Sequence, residues 1–214
     1  RDAVVSSPTM PTLSNTEKKQ AELAAVPATM WPSDIATLRQ MVANGSPLPG
    51  NAYGPIRLPP IGPDSCDVMV ISDLPDILDR HDMNMSANGT LLRRMFAAIG
   101  IETAHCYCTW LATSMPSTGE VPENDLPDLA AFMLHQIRLI RPKSLVILGS
   151  AASKALLGEE LMQSRAELRY VHEDGFNLPT LVTFHPRTLI ARPAMKKQAW
   201  RDLQIFAKEV VQCA

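Results

Sequence analysis

Apolar residues along the chain fall into short unbroken runs and longer periodic stretches. Ser144 to Leu148 holds four apolar residues in five with no alternation, the pattern of a strand covered on both faces of a parallel sheet. Asp67 to Ser72 reads the same way, and Cys106 to Leu111 and Leu181 to Phe184 predict two further strands. Between them the spacing turns helical. Leu129, Phe132, Met133, Ile137 and Ile140 recur at three- and four-residue intervals in Leu126 to Ile140, and Arg141-Pro142 closes that helix because the residue before proline is driven from the α region. Thr90 to Ile99 predicts a helix ended by Gly100. Gly149-Ser150 predicts a turn, with Ser150 capping a short helix from Ala151 to Leu157 that stops at Gly158. Pro193 to Val211 predicts the last helix, with Trp200, Leu203, Ile205 and Phe206 as core anchors. Four strands alternating with helices give an α/β class fold, a three-layer α/β/α sandwich around a mostly parallel four-stranded sheet.

The amino-terminal part reads differently. Residues 1–31 are rich in Ser, Thr, Pro and Ala without a sustained apolar period, and predict a disordered arm or linker. Residues 32–214 then form one domain. It opens with a helix capped by Ser33-Asp34, carrying Ile35, Leu38, Met41 and Val42 on one face and ended by Asn44-Gly45. Asn44 to Pro63 holds four glycines and six prolines and reads as an extended loop.

With 214 residues and 46% hydrophobic content, the chain can bury one good core. Its net charge of −2 argues against coating nucleic acid by bulk charge, but not against a local patch. Such a patch exists between Pro186 and Arg201, where Arg187, Arg192, Lys196, Lys197 and Arg201 occur with no acidic residue. It is either the solvated face of a helix or a phosphate contact. The four cysteines, Cys66, Cys106, Cys108 and Cys213, lack the CxxC spacing of common zinc sites, so no metal is expected. No secretory signal or membrane span is recognisable, and a reduced cytoplasmic setting fits.

Ligands of open α/β sheets bind outside the carboxyl ends of the strands. Asp73 follows the first predicted strand and His185 the last, so both stand where chemistry is usual. An aspartate there can equally be a turn or cap residue, and a histidine before proline a structural one.

Two segments carry a family resemblance: Leu139-Ile140-Arg141-Pro142-Lys143, and Phe184-His185-Pro186 followed by Ala194-Met195-Lys196 and Ala199-Trp200-Arg201-Asp202-Leu203. Over roughly Asp67 to Ala207 the chain resembles the uracil-DNA glycosylase superfamily, and most of all its bacterial family 4 branch. There, Ser72-Asp73-Leu74-Pro75-Asp76 stands in place of Gly-Glu-Ala-Pro-Gly, keeping a carboxylate and the proline while losing both glycines. The stacking aromatic of the family's Gly-x-Pro-Phe falls in Asp82 to Ser86, which leaves either Met85 or no residue for that role. The family's base-pairing Asn falls near Trp110, which cannot offer the same donor and acceptor. The four cysteines of the branch's iron–sulfur cluster have no counterparts, so that cluster, and any other cofactor, is expected to be absent.

The resemblance implies a DNA glycosylase of base excision repair, which hydrolyses the N-glycosidic bond of a flipped uracil or other modified base. Asp73 would position water or stabilise the positively charged sugar, and His185 would hydrogen-bond the departing base. Ser72, Leu74, Pro75, Met85 and Trp110 would form the base pocket. Arg187, Arg192, Lys196 and Lys197 would grip phosphates of single- or double-stranded DNA, and Leu189 would either wedge into the space the flipped nucleotide leaves or sit in the core. The expected protein is a monomer of the bacterial cytoplasm, with no membrane partner. The alternative is a catalytically inert relative that binds nucleic acid or a protein. A hydrolase of free nucleosides is disfavoured because Gly149 is a lone glycine turn with no phosphate loop around it.

Overall fold

A computed structural model describes residues 31–76, 86–173 and 175–211. The expected arm, apart from Trp31, together with Met85 and Cys213, lies outside these residues. Helix α1, Ile35–Ala43, is capped by Asp34, whose carboxylate accepts from the Thr37 amide at 2.8 Å. Trp31 belongs to the fold, its ring centroid 5.3 Å from that of Phe132.

The sheet contains five strands in the order β2-β1-β3-β5-β4. Three match the reading of the sequence closely: β1 is Val68–Ser72, β2 Tyr107–Trp110 and β3 Ser144–Leu148. The fourth and fifth correct it. An antiparallel edge strand, β4, Arg169–Glu173, precedes β5, which extends back to Phe176–Thr183. Two features hide this hairpin in the sequence. Its edge strand carries polar residues, and Pro179 interrupts the run before Leu181. The proline is tolerated because β3 begins to pair with β5 only at Thr180.

Helices cover both faces. On one side α3, Leu126–Ile140, and α4, Ser150–Leu157, pack with α1 against Met69, Ile71, Leu145, Ile147 and Val182. On the other, α2, Ala87–Ala97, and the last long helix, Lys196–Phe206, cover Val70, Cys108, Val146, Leu148 and Leu181. Successive strand residues therefore enter opposite cores, and this is why the strands read as unbroken apolar runs. Helix α2 starts three residues earlier than expected because Ser86 caps it, its hydroxyl accepting from the Gly89 amide at 2.9 Å. Helix α3 does stop at Arg141, but that residue is left-handed (φ 53°) rather than extended. In the last helix Leu203 and Phe206 are buried, whereas Trp200 is 41% exposed and Ile205 half-buried; Asp202 takes the inward position instead. The proline-rich segment lies along the outer edge of β2, where the Ile61 amide donates to the Cys108 carbonyl at 2.9 Å. No helix among the described residues is long and apolar enough to cross a membrane.

Candidate active site

The four parallel strands end in one row. Ser72 pairs with Trp110 on one side and Leu148 on the other, and Leu148 pairs with Thr183. The chain leaves these strands over a common edge, and Asp73, Gly149 and His185 come together around a cavity of about 410 Å³.

Asp73 is a helix cap. Its Oδ2 accepts from the Ser150 amide at 3.0 Å and its Oδ1 from the Ala152 amide at 2.7 Å, so a residue after β1 satisfies the first turn of the helix after β3. The cap expected of Ser150 therefore comes from Asp73. Ser150 is itself the first helical residue, and its hydroxyl donates to Glu160 at 3.1 Å. Burial pushes the Asp73 carboxyl above the usual carboxylate range, against the pull of the Ala152, Ala151 and Ser150 amides and of Arg187.

His185 is fixed by the helix it starts. Its Nδ1 accepts from the Arg187 amide at 3.1 Å at the head of α6, which is Pro186–Ala191, while α5 is the short turn Leu161–Ser164. An Nδ1 that accepts places the ring proton of the neutral imidazole on Nε2. Burial, with help from Arg187 and against Asp76, holds the pKa down to about 4. At neutral pH the ring is an uncharged Nε2–H donor.

The expected base pocket is nearly filled. Ser72, Leu74, Trp110 and His185 meet with Asp76 and Asn88 around a second cavity of only about 20 Å³, room for one water. Trp110 is 4% exposed and lines this cavity. Pro75 is buried and lines neither cavity. Asn88 donates to Asp76, the last residue of the degraded strand-end motif, at 2.7 Å, a pairing across twelve residues that the sequence does not announce.

The cationic residues divide. Arg187 lines the larger cavity, and Arg192, Lys196 and Lys197 are exposed. Leu189 stands in the core, the second of the two places the sequence allows it. Helix α6 turns it inward to 1% exposure against Phe184 and Ala199, leaving Ile190 as the exposed apolar residue of that turn. Across the cavity Lys154 bridges Glu123 at 2.8 Å and Glu160 at 3.3 Å, forming a rim that no motif announces.

A buried ion pair supports the histidine from behind. The Arg165 guanidinium grips Asp202 through Nε at 3.0 Å and Nη2 at 2.8 Å, and Thr183 donates to the same carboxylate at 2.7 Å. Arg165 also lies over the Phe184 ring, 4.1 Å from its centroid. Thr183 and Phe184 are the two residues before His185, so this pair sets the strand end that delivers it. Asp202 belongs to the quoted carboxyl-terminal motif, but Arg165 has no sequence signal.

The cysteines do not fit an iron–sulfur cluster. Cys106 and Cys108 pack into the core beside Val70 and Phe96, and burial pushes the Cys106 thiol up to about 12 and Cys108 well above its usual value. A cluster needs four accessible thiolates. Only Cys66, half-buried, remains among the described residues, and these hold no metal-binding group of three or more His, Cys, Asp or Glu.

A mostly parallel α/β/α sandwich carries a capping carboxylate and a neutral histidine together over the carboxyl edge of its sheet. The sequence model of the uracil-DNA glycosylase superfamily matches residues 59–204, and the chain belongs to that superfamily. One relative is the type-4 uracil-DNA glycosylase of Pyrobaculum aerophilum, 23% identical over 184 residues that cover 81% of this chain and 93% of the relative.

Proposed function

We propose that the protein is a DNA glycosylase acting on a flipped, modified base through His185 and Asp73. The observation that carries this reading is the locked tautomer of His185, which gives a ring lining the cavity an Nε2–H donor without a positive charge. Cleavage of the C1′–N bond sends its electron pair to the base, and the developing oxyanion of the base is stabilised by that donor. The two oxygens of Asp73 offer four lone pairs, and the Ser150, Ala151 and Ala152 amides leave one available to orient the water that adds to C1′ or to face the cationic sugar. The water passes its proton to the Asp73 carboxylate as it adds to C1′, and the released base anion is protonated by solvent.

Superfamily membership supports DNA as the partner. The larger cavity suits a flipped nucleotide in size, whereas the space beside Trp110 is too small for any base, which supports a base site in the larger cavity. The filled pocket also supports a second reading, an inert glycosylase fold that binds nucleic acid.

The test is alkaline strand cleavage after incubation with oligonucleotides carrying uracil, hypoxanthine, xanthine or hydroxymethyluracil. Release of one base, reduced about a hundredfold or more in His185→Ala or Asp73→Asn, supports the enzyme. No release from any substrate, with salt-sensitive binding retained, supports the inert reading.

A further inference from the structure

The last long helix, here α7 (Lys196–Phe206), presents an unusual outer face. Trp200 is 41% exposed, although an indole is large and apolar enough to be drawn into a core. Lys196 and Lys197 stand four and three residues before it, exposed and one helical turn away on the same face, and Arg201 directly after it widens the exposed basic surface to the side. The charge is unbalanced. Arg39, Lys143, Lys154, Arg165 and Arg169 each reach a carboxylate, but among the described residues Arg187, Arg192, Lys196, Lys197 and Arg201 form no ion pair. Asp202, the first acidic residue after Pro186, is turned inward and neutralised by Arg165. The outward face of the first two turns is therefore purely positive around one exposed ring.

We infer that Trp200, with Lys197 and Arg201, is a stacking platform for an unpaired base of single-stranded DNA, outside the cavity that holds His185. A flat aromatic face bordered by cations suits this ligand: the ring stacks on any unpaired base while the lysine and arginine follow the phosphates on either side. A duplex offers no free base face, so the platform selects for single strands. The basic residues of α6 and of the turn after it join the platform to the cavity along the chain, and the strand would run from Trp200 past Arg192 to Arg187. This inference rests on the glycosylase-like reading for its substrate class but concerns a separate surface.

The experiment compares binding of a fluorescent oligothymidylate with that of an abasic oligomer of equal length. Wild-type protein is expected to favour the base-bearing strand by roughly tenfold, the scale of one stacked base. Trp200→Ala should abolish that preference while leaving affinity for the abasic strand unchanged, and Trp200→Phe should keep part of it. Lys197→Gln with Arg201→Gln should weaken both strands and flatten the salt dependence. An equal affinity of wild type for the two strands, or a preference that survives Trp200→Ala, would overturn the platform. So would an effect of Trp200→Ala confined to an acidic peptide such as oligoglutamate, which would assign the face to a protein segment. Base release is assayed separately. A protein with the Trp200-dependent preference but no release keeps the platform and loses the glycosylase, and one that releases a base without that preference does the reverse.

Discussion

Asp73 and Ala152 are seventy-nine residues apart and joined by a 2.7 Å hydrogen bond from the Ala152 amide to the Asp73 carboxylate. This bond, with its companion from Ser150, ties the turn after β1 to the helix after β3 and leaves no room between them. Gly149 lies in that space with φ 129°, and a Cβ there would overlap the carboxylate itself. Gly149→Ala is therefore expected to displace Asp73, costing about 2 kcal/mol or more in unfolding free energy by urea titration. An unchanged urea midpoint would show that the cap does not constrain this turn.

His185 makes a pH prediction with a definite sign. The folded ring titrates near 4, while the ring of the unfolded chain takes a proton below about 6.5. Between those values the unfolded state binds more protons, so this contribution to stability is complete above about pH 6.5 and is lost as pH falls towards 4. Wild type should lose more stability than His185→Gln when acidified from about pH 7 to about pH 4.5. Equal losses in the two proteins would mean that the ring charges freely in the folded state.

Breaking the pair behind the histidine should be costly. Arg165 is 8% and Asp202 1% exposed, and Asp202→Asn leaves a buried guanidinium without its counter-charge, a loss of about 3–5 kcal/mol. Removing both partners, as Arg165→Met with Asp202→Asn, should cost less than the sum of the single changes. A double-mutant cycle in thermal denaturation checks this, and additive losses would deny the coupling.

Trp110 governs the smaller cavity. Trp110→Asn should enlarge a space now about 20 Å³ in volume and place an amide where the family reads uracil. The lost packing should destabilise the fold by about 3 kcal/mol or more. Uracil release from an oligonucleotide should rise relative to wild type, and no change would place the base elsewhere.

Much of this architecture was legible because each strand is buried on both sides. Val70 and Val146 face one core and Ile71 and Ile147 the other, which turns the strands into plain apolar runs. The β4 edge was not legible, because a strand with one neighbour can carry Arg169 and His172 and so lacks that signal. At the site, Asp73 and His185 were legible from their position after strands. The small cavity at Trp110 was not, and the choice between the two places for Leu189 stayed open, since both depend on packing between distant segments. Trp200 shows the opposite error. Its hydrophobicity points to the core, but the helix turns Asp202 inward to meet Arg165.

The Arg165–Asp202 pair also imposes an order in time. Chains are made from the amino terminus at about 5–20 residues per second, and β5 emerges before its anchor on the last helix. Until residue 202 has been synthesised and docked, Arg165 has no counter-charge and the strand end carrying His185 has no fixed position. The histidine is thus set in place by a segment made after it, and a chain stopped short of residue 202 would carry His185 on an unanchored strand end.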